Sequence, residues 1–448
     1  MSHVPSLSAR SCRAVSFFAV MIATWSAEPA RGAPLAVGGD SLAGAASRVA
    51  IIREALAKNP GLKAAADRVR AARSTSAAEG RLPDPELMFQ IWQVPFEHPA
   101  SFRDSQMIMA GVSQTFPAPG SLPARADARR HAASADEAML ADRARDVVRD
   151  VQHAFADLTE AVARHRAHVE HHDVAARLLA ASQARQRAGG PLDDVTQAEL
   201  ATARLDADIA MEAGSVARAK ARLNGLLGRP IDAQMGDPRP EEPATIALSP
   251  QALTELAART RPDLRAAGAR DEAERSALVS AEREATLPSF TVGAQYFAPT
   301  STMPVHGYGV SAAMTLPWVW GGGAARAEAA RALVQAAGEE VAEAKLRIDV
   351  DVGTSLATAH AVATQLRTLE SGARPAAQRA FDAVFAVYAA GRGDLLAVLR
   401  AEQAVADIEI DIVVARASLD HALADLDWAV GVLLPRTPLE TPSSTAGR

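Results

Sequence analysis

The sequence of 448 residues repeats itself. The stretch Lys58-Asn59-Pro60-Gly61-Leu62 returns as Thr260-Arg261-Pro262-Asp263-Leu264, and later matches keep the same order at an interval of 200 to 205 residues. The later matches are Leu82-Pro83 with Leu287-Pro288, Phe116-Pro117 with Leu316-Pro317, Ala188-Gly189 with Ala390-Gly391, and Leu227-Gly228 with Val430-Gly431. Repeats of solenoid proteins span roughly 20–50 residues. This longer interval therefore indicates a duplicated domain.

The composition limits the class of protein. The net charge of −6 leaves no basic surface of the kind that binds nucleic acid. Hydrophobic residues make up 48% of the chain but aromatic residues only 4%, so alanine and small aliphatic residues dominate the apolar content. Such a composition is typical of long helices that pack closely together.

The N-terminus has the pattern of an export signal. Arg10 and Arg13 precede an apolar run over residues 14–23, which is too short to span a bilayer. We assign residues 1–32 to a signal peptide whose cleavage bond the sequence leaves open; a buried core helix is the alternative. The single cysteine, Cys12, lies in this segment, so the mature chain would have no disulfide and no thiol ligand.

The chain divides into two repeats, over residues 41–228 and 251–434. A proline-rich stretch over residues 229–250 is predicted to be an irregular linker. Residues 435–448 form a C-terminal tail.

Each repeat is predicted to contribute two β-strands. The strands cover about residues 86–95 and 105–116 in the first repeat and about 288–298 and 306–316 in the second. Apolar residues alternate with small or polar ones, which predicts one apolar face per strand. About ten residues is the length that a transmembrane β-strand needs. A soluble β-subdomain with an aromatic core is the alternative.

Each pair of strands is followed in the sequence by a long helical hairpin. Alanine-rich helices run from Ala124, without a proline, and from Ala324 to glycine-containing turns, the hairpin tips over residues 188–194 and 390–395. Gly372 and Pro375 predict a kink or break in the second hairpin.

Four strands are too few to close a membrane barrel, because the smallest bacterial barrels have about eight. An open sheet edge in lipid would leave backbone groups unpaired. The strands therefore require further copies of the chain. The count alone permits a dimer, a trimer or a tetramer.

Two stretches carry a resemblance to a known family. Leu82-Pro83-Asp84-Pro85-Glu86-Leu87 and Gly111-Val112-Ser113-Gln114-Thr115-Phe116-Pro117-Ala118-Pro119-Gly120 resemble the branch of the TolC family that serves heavy-metal exporters of the resistance-nodulation-division type. The resemblance to the TolC family as a whole covers roughly residues 42–434, and the resemblance to the branch rests on these two stretches. It departs from the branch at Ser121, where a basic residue is usual.

The resemblance implies a mostly α-helical protein with a membrane β-barrel. Three copies would form a 12-stranded barrel, built from a duplicated helix–strand–strand–helix unit and continued by a long periplasmic α-helical tunnel. It also implies a location in the outer membrane, with a periplasmic adaptor protein and an inner-membrane resistance-nodulation-division transporter as partners.

The resemblance further implies roles for the hairpin tips. The residues matching the family's adaptor-contact turns are Gly189, Leu192, Gly391, Gly393 and Leu395. Small residues there would let a partner approach, and exposed leucines would give it apolar surface; simple helix capping is the alternative for the glycines. Asp193, Asp194 and Asp394 are candidates for acidic rings at the tunnel mouth, with N-capping as the alternative.

No motif of an enzyme, a phosphate loop or a dinucleotide site is present in the sequence. His168 and His172 are four residues apart on a predicted helix and could chelate a metal, but no third ligand completes the set. We therefore predict no catalytic activity, no cofactor and no resident metal.

The predicted function is the outer-membrane channel of a tripartite efflux pump that exports heavy-metal cations. A duct for organic compounds or type I secreted polypeptides is one alternative. A periplasmic coiled-coil scaffold without a pore is another.

Overall fold

The computed structural model describes residues 47–97, 99–239 and 241–439, together with Leu42 and Gly44. The predicted signal peptide and the end of the tail lie outside this part of the chain. The helices described are α1 (Arg48–Lys58), α2 (Pro60–Glu79), α3 (Ser121–Arg187), α4 (Leu192–Leu226), α5 (Pro250–Thr260), α6 (Pro262–Thr286), α7 (Gly322–Thr368), α8 (Arg374–Ala389) and α9 (Leu395–Val430). The strands described are β1 (Glu86–Trp92), β2 (Met107–Phe116), β3 (Ala244–Thr245), β4 (Phe290–Ala298), β5 (Gly307–Met314) and β6 (Thr437–Pro438).

The chain folds as two units. The first, here called the helix unit, comprises the described residues up to Lys63 with 141–261 and 346–439. The second, the sheet unit, comprises residues 64–140 and 262–345. Among the described residues, no helix is both long enough and apolar enough to cross a membrane.

The sheet unit contains an antiparallel sheet with the strand order β1-β2-β4-β5. Each repeat supplies one hairpin of adjacent strands, and β2 joins β4 at the centre, with Val112 opposite Ala294. The duplication therefore produces one continuous sheet rather than two separate hairpins.

The four main strands are shorter than the ranges predicted for them. The predicted range of the first strand extends to residue 95. Strand β1 ends at Trp92, because Gln93 takes a left-handed conformation with φ of 52°. The amide of Gln106 donates to the carbonyl of Trp92 at 3.0 Å and closes the hairpin. Strands β2 and β4 each begin two residues later than predicted, and β5 ends at Met314 instead of residue 316.

The helix unit holds a hydrophobic core between α1, α3 and α4. Ile51, Val151, Leu158 and Leu223 are fully buried there, since none of them exposes any of its surface. The core combines residues of the first helix with both arms of the first long hairpin, so burial of apolar surface holds these three elements together.

In both repeats the residue before the repeated proline contacts the end of the last helix of that repeat. Asn59 Nδ2 donates to the carbonyl of Leu226 at 3.0 Å, and Arg261 Nη1 donates to that of Ala429 at 3.3 Å. In the second repeat Gly431, with φ of 86°, leaves only 3.3 Å between a Cβ placed there and the Arg261 backbone. A glycine is favoured there both by its backbone conformation and by the close approach.

The described part of the linker over residues 229–250 is mostly irregular but contains one short strand. Its strand β3 pairs with β6 of the predicted tail, with Thr245 opposite Thr437. Arg436 Nη2 donates to the buried carboxylate of Asp427 at 2.6 Å, which ties the tail to α9. The described residues of the linker and residues 435–439 of the tail therefore belong to the helix unit.

The predicted interruption of the second hairpin is present as a π-helical turn, Leu369–Ala373, between α7 and α8. Pro375 lies in the first turn of α8 and cannot donate a backbone hydrogen bond. The helix therefore changes its winding at this point without a break.

Candidate functional site

One face of the sheet is apolar and exposed. The register places Leu87, Val112, Ala294 and Val310 in one row across the four strands. Leu87 exposes 85% of its surface and Val310 76%. The neighbouring rows on this face contain Phe89, Ala110, Tyr296 and Tyr308, then Gln114, Val292 and Ala312, and then Phe116, Phe290 and Met314. An apolar surface of this extent requires lipid or protein to cover it.

The opposite face carries small and polar residues over most of its area. One row holds Ser113, Gly293 and Ser311, and a Cβ at Gly293 would lie 2.7 Å from the Ser311 hydroxyl. Gln295 Nε2 donates to that same hydroxyl at 2.9 Å. Glu86 is the one residue with a charged side chain in β1, β2, β4 and β5. This face can therefore contact water.

Both outer strands of the sheet have an unpaired edge in the single chain. Among the described residues, β1 pairs only with β2, and β5 pairs only with β4. Unpaired edges are the feature that makes a sheet recruit further strands.

The glycines at the hairpin tips have the geometry of helix C-caps. Gly189 has φ of 93° and Gly391 has φ of 75°, and a Cβ at either position would meet no neighbouring atom. Their amides donate to Gln186 and Tyr388 carbonyls at 2.9 Å. Gly393 differs, because a Cβ there would lie 2.8 Å from the Tyr388 backbone. The three glycines are explained by the turns themselves, and their contact with an adaptor remains a prediction.

The two tip leucines lie in different environments. Leu192 exposes 67% of its surface, as the predicted adaptor contact requires. Leu395 is fully buried in a cluster with Leu178, Tyr388 and Val398. The expectation of an exposed Leu395 is therefore wrong, because its side chain packs between the two hairpins.

The three aspartates also differ. Asp394 accepts a hydrogen bond from the Leu396 amide at 3.2 Å and is the N-cap of α9. Asp193 is exposed in the first turn of α4, which begins at Leu192. Asp194 is buried, with its carboxylate 3.8 Å from Arg185 Nη1, so its assignment to an acidic ring is wrong.

No group of three potential metal-binding side chains of the His, Cys, Asp and Glu types occurs among the described residues. His168 is partly exposed, and His172 Nε2 lies 3.2 Å from an Asp206 carboxylate oxygen. The spacing of four residues therefore does not assemble a metal site in this part of the chain.

No sequence pattern indicated the role of His171, which lies between His168 and His172. His171 of α3 is buried, with Nδ1 2.8 Å from Glu402 Oε1 and Nε2 3.1 Å from Glu409 Oε2, both on α9. Burial by itself lowers the pKa of His171, but the hydrogen bonds to both carboxylates raise that pKa to about 9. The hydrogen bond to His171 in turn lowers the pKa of Glu409. A charged imidazolium therefore bridges the two hairpins at neutral pH.

The burial of Leu395 predicts an asymmetry between the two tips. Leu395→Ala should lower the free energy of unfolding by about 2–5 kcal/mol, because it leaves a cavity in the cluster between the hairpins. Leu192→Ala, the matched control, should change it by less than about 0.5 kcal/mol. Denaturant unfolding of the purified variants measures both values. Equal losses of unfolding free energy in the two variants would contradict the burial of Leu395 between the hairpins.

The His171 bridge predicts a dependence of stability on pH. Its pKa is raised from 6.5 to about 9 on folding, so its contribution is complete below pH 6.5 and is lost as the pH rises through 9. The advantage of the native chain over His171→Gln should be at most about 3 kcal/mol at low pH. Unfolding measured from pH 6 to pH 10 tests this. His168→Gln is the control and should show no such trend; a constant difference at His171 would contradict the bridge.

Comparison with solved structures shows the fold. The outer membrane protein VceC from Vibrio cholerae is 19% identical, with 86% of this chain and 96% of VceC covered at a TM-score of 0.72. CusC, whose structures concern folding and transmembrane channel formation, is 19% identical over 86% of this chain and 92% of CusC, with a TM-score of 0.74. The open state of the MtrE outer membrane channel from Neisseria gonorrhoeae is 21% identical over 86% and 89% of the two chains, with a TM-score of 0.67. No curated protein sequence matches this one.

A comparison with protein-family models shows which family the chain belongs to. The model described as outer membrane efflux protein matches residues 51–229 and residues 253–432, one stretch in each repeat. The two stretches together include both hairpins and all four main strands. The chain therefore belongs to the outer membrane efflux protein family, whose members are transport channels and not enzymes.

Proposed function

We propose that this chain is the outer-membrane duct of a tripartite efflux pump, and that three copies close one barrel of about twelve strands continued by a periplasmic α-helical tunnel. The observation that carries this proposal is the four-stranded sheet with two unpaired edges and an exposed apolar face. A soluble protein would cover such a face within its own fold.

The edges give the reason for assembly. In lipid, each unpaired backbone group costs several kcal/mol, so β1 and β5 require partners. In a ring of copies, β5 of one chain pairs with β1 of the next, and no edge remains. Four strands from each of three chains give a number within the range of known barrels.

The two faces of the sheet match the two surroundings of such a barrel. The face with Leu87 and Val310 contacts the lipid, and the face with Ser113 and Ser311 lines a wet lumen. The alternative of a periplasmic scaffold without a pore gives no role to an exposed apolar face on a sheet, and the family membership also disfavours it.

The partners are a periplasmic adaptor and an inner-membrane resistance-nodulation-division transporter. The adaptor would contact the hairpin tips at Gly189, Leu192, Gly391 and Gly393, since Leu192 offers exposed apolar surface there. Leu395 supports the tips from inside instead of contacting the partner. Asp193 and Asp394 are the exposed carboxylates that would contribute to acidic rings at the tunnel mouth.

Heavy-metal cations are the proposed cargo, on the basis of the stretches over residues 82–87 and 111–120. A deletion strain tests this by growth on zinc, cobalt, cadmium, copper and silver salts compared with growth on dyes, detergents and antibiotics. Sensitivity to metals alone supports the proposal. Sensitivity to organic compounds alone, or loss of a secreted polypeptide, would replace it with one of the alternative cargoes.

The assignment of the two faces predicts opposite effects for adjacent residues. Val310→Arg places a charge on the proposed lipid face and should lower the stability of the membrane-embedded sheet by about 2–4 kcal/mol if Val310 lies near the bilayer midplane. Ser311→Arg, the matched control, places the same charge in the proposed lumen and should leave insertion intact. Membrane fractionation and single-channel conductance measure the outcome.

The two variants also test the proposal as a whole. Ser311→Arg should insert and should change the conductance or the ion selectivity of the channel, because its charge would face the permeating ions. If both variants insert equally well and neither alters conductance, the assignment of the faces is wrong. If the native chain itself gives no current steps, the duct proposal is wrong.

A further inference from the structure

Three methionines lie on the lumen-type face of the sheet, close to one end of it. Met88 is on β1, and Met107 and Met109 are on β2. The register pairs Met88 with Gly111, Gln90 with Met109, and Trp92 with Met107. Because side chains alternate along a strand, all three methionines point away from the apolar face that contains Leu87 and Val112.

The register brings Met109 within reach of each of the other two methionines, whereas Met88 and Met107 lie four residues apart along the sheet. Met88 and Met109 are diagonal neighbours across the β1–β2 pair, a position at which Cβ atoms lie less than about 8 Å apart. Met107 and Met109 are two residues apart on one strand, about 7 Å at the backbone. Methionine has three rotatable side-chain bonds, so the sulfur of Met109 and that of either Met88 or Met107 can approach a single ion.

These side chains are accessible. Met88 exposes 39% of its surface, and Met107 and Met109 are partly exposed. Beside them, Gly111 has no side chain, and Gln295 lies so close that a Cβ at Gly111 would be 2.7 Å from its Cγ. Trp92 lies opposite Met107 and Phe297 lies opposite Met109, but none of the three methionines is fully buried.

The donor atoms on this face favour one class of ion. Thioether sulfur is a soft ligand that selects Cu(I) and chemically similar ions, whereas zinc prefers imidazole, thiolate and carboxylate ligands. Glu86 is the one carboxylate in the four strands, and these strands contain no histidine and no cysteine. The face is therefore poorly suited to Zn²⁺, whereas Met109 with either Met88 or Met107 supplies two thioethers to a soft monovalent cation.

We propose that Met88, Met107 and Met109 form a transit site for the soft monovalent cations Cu(I) and Ag(I) on the lumen face of the barrel. This inference rests on the proposed function, because the lumen exists only if copies of the chain close the barrel. Neutral thioethers bind such ions without the charge attraction of a thiolate. A weak site of this kind lets an ion enter and leave, which conduction requires.

The test uses silver nitrate in chloride-free buffer as the probe and the full-length chain in detergent. All variants carry Cys12→Ser, so that no thiol competes for silver. The variant Met88→Leu/Met107→Leu/Met109→Leu keeps apolar side chains of similar volume and removes the sulfurs. The control Met139→Leu/Met211→Leu/Met314→Leu removes three other methionines, which expose 46%, 58% and 60% of their surface.

The expected result is that the first variant binds Ag(I) about tenfold or more weakly than the parent, since its ligands are gone. The control variant should bind as the parent does, and silver–sulfur distances from X-ray absorption should disappear only in the first variant. Equal binding by all three proteins, or equal losses in both variants, would overturn the site.

Channel measurements separate this inference from the proposed function. The parent and both variants should give the same single-channel conductance in potassium nitrate, because the leucines preserve the size of the lumen. If the channel conducts but silver binding does not depend on the three methionines, the proposed site is wrong and the proposed duct function is unaffected. If the parent does not conduct, the duct proposal fails, and the silver comparison alone still decides whether the thioethers bind the ion.

Discussion

The backbone groups at the two edges of the sheet need hydrogen-bond partners, and the proposed assembly of several copies follows from this need. Within the part of the chain that the structure describes, β1 and β5 each lack a partner on one side, while the face containing Leu87 and Val310 is apolar and exposed. Lipid can cover the apolar face but cannot satisfy the unpaired amides and carbonyls. Additional strands can do so, and in the proposed assembly copies of the same chain provide them.

The helix unit shows how charge and apolar packing are combined to hold two long hairpins together. Leu395 and Tyr388 pack between the tips, while His171 bridges α3 to Glu402 and Glu409 on α9. A buried ionic bridge is costly unless its hydrogen bonds are complete, and both nitrogens of this imidazole have a carboxylate partner. The bridge therefore joins α3 to α9 through two hydrogen bonds to one imidazole.

Local patterns made much of the fold predictable. Alternating apolar residues located the four strands, and glycines located the hairpin turns, because both signals lie within a few residues of the element they specify. The absence of enzyme motifs led to a prediction that the family confirms. The burial of Leu395 and the partners of His171 were not predictable, since the packing residues come from another hairpin and Glu402 lies 231 residues from His171. The pairing of β3 with β6 involves two residues on each side, too few for any periodic pattern.

Cross-linking of the sheet edges between copies tests the central claim most directly. In a Cys12→Ser chain, a cysteine replacing Phe89 on β1 would be combined with one replacing Tyr308, Val310 or Ala312 on β5, all of which lie on the apolar face. Mild oxidation in native membranes should give covalent dimers and trimers and no larger species for at least one of these pairs. Monomers alone from every pair, in membranes where the chain conducts, would contradict closure of the barrel by neighbouring copies.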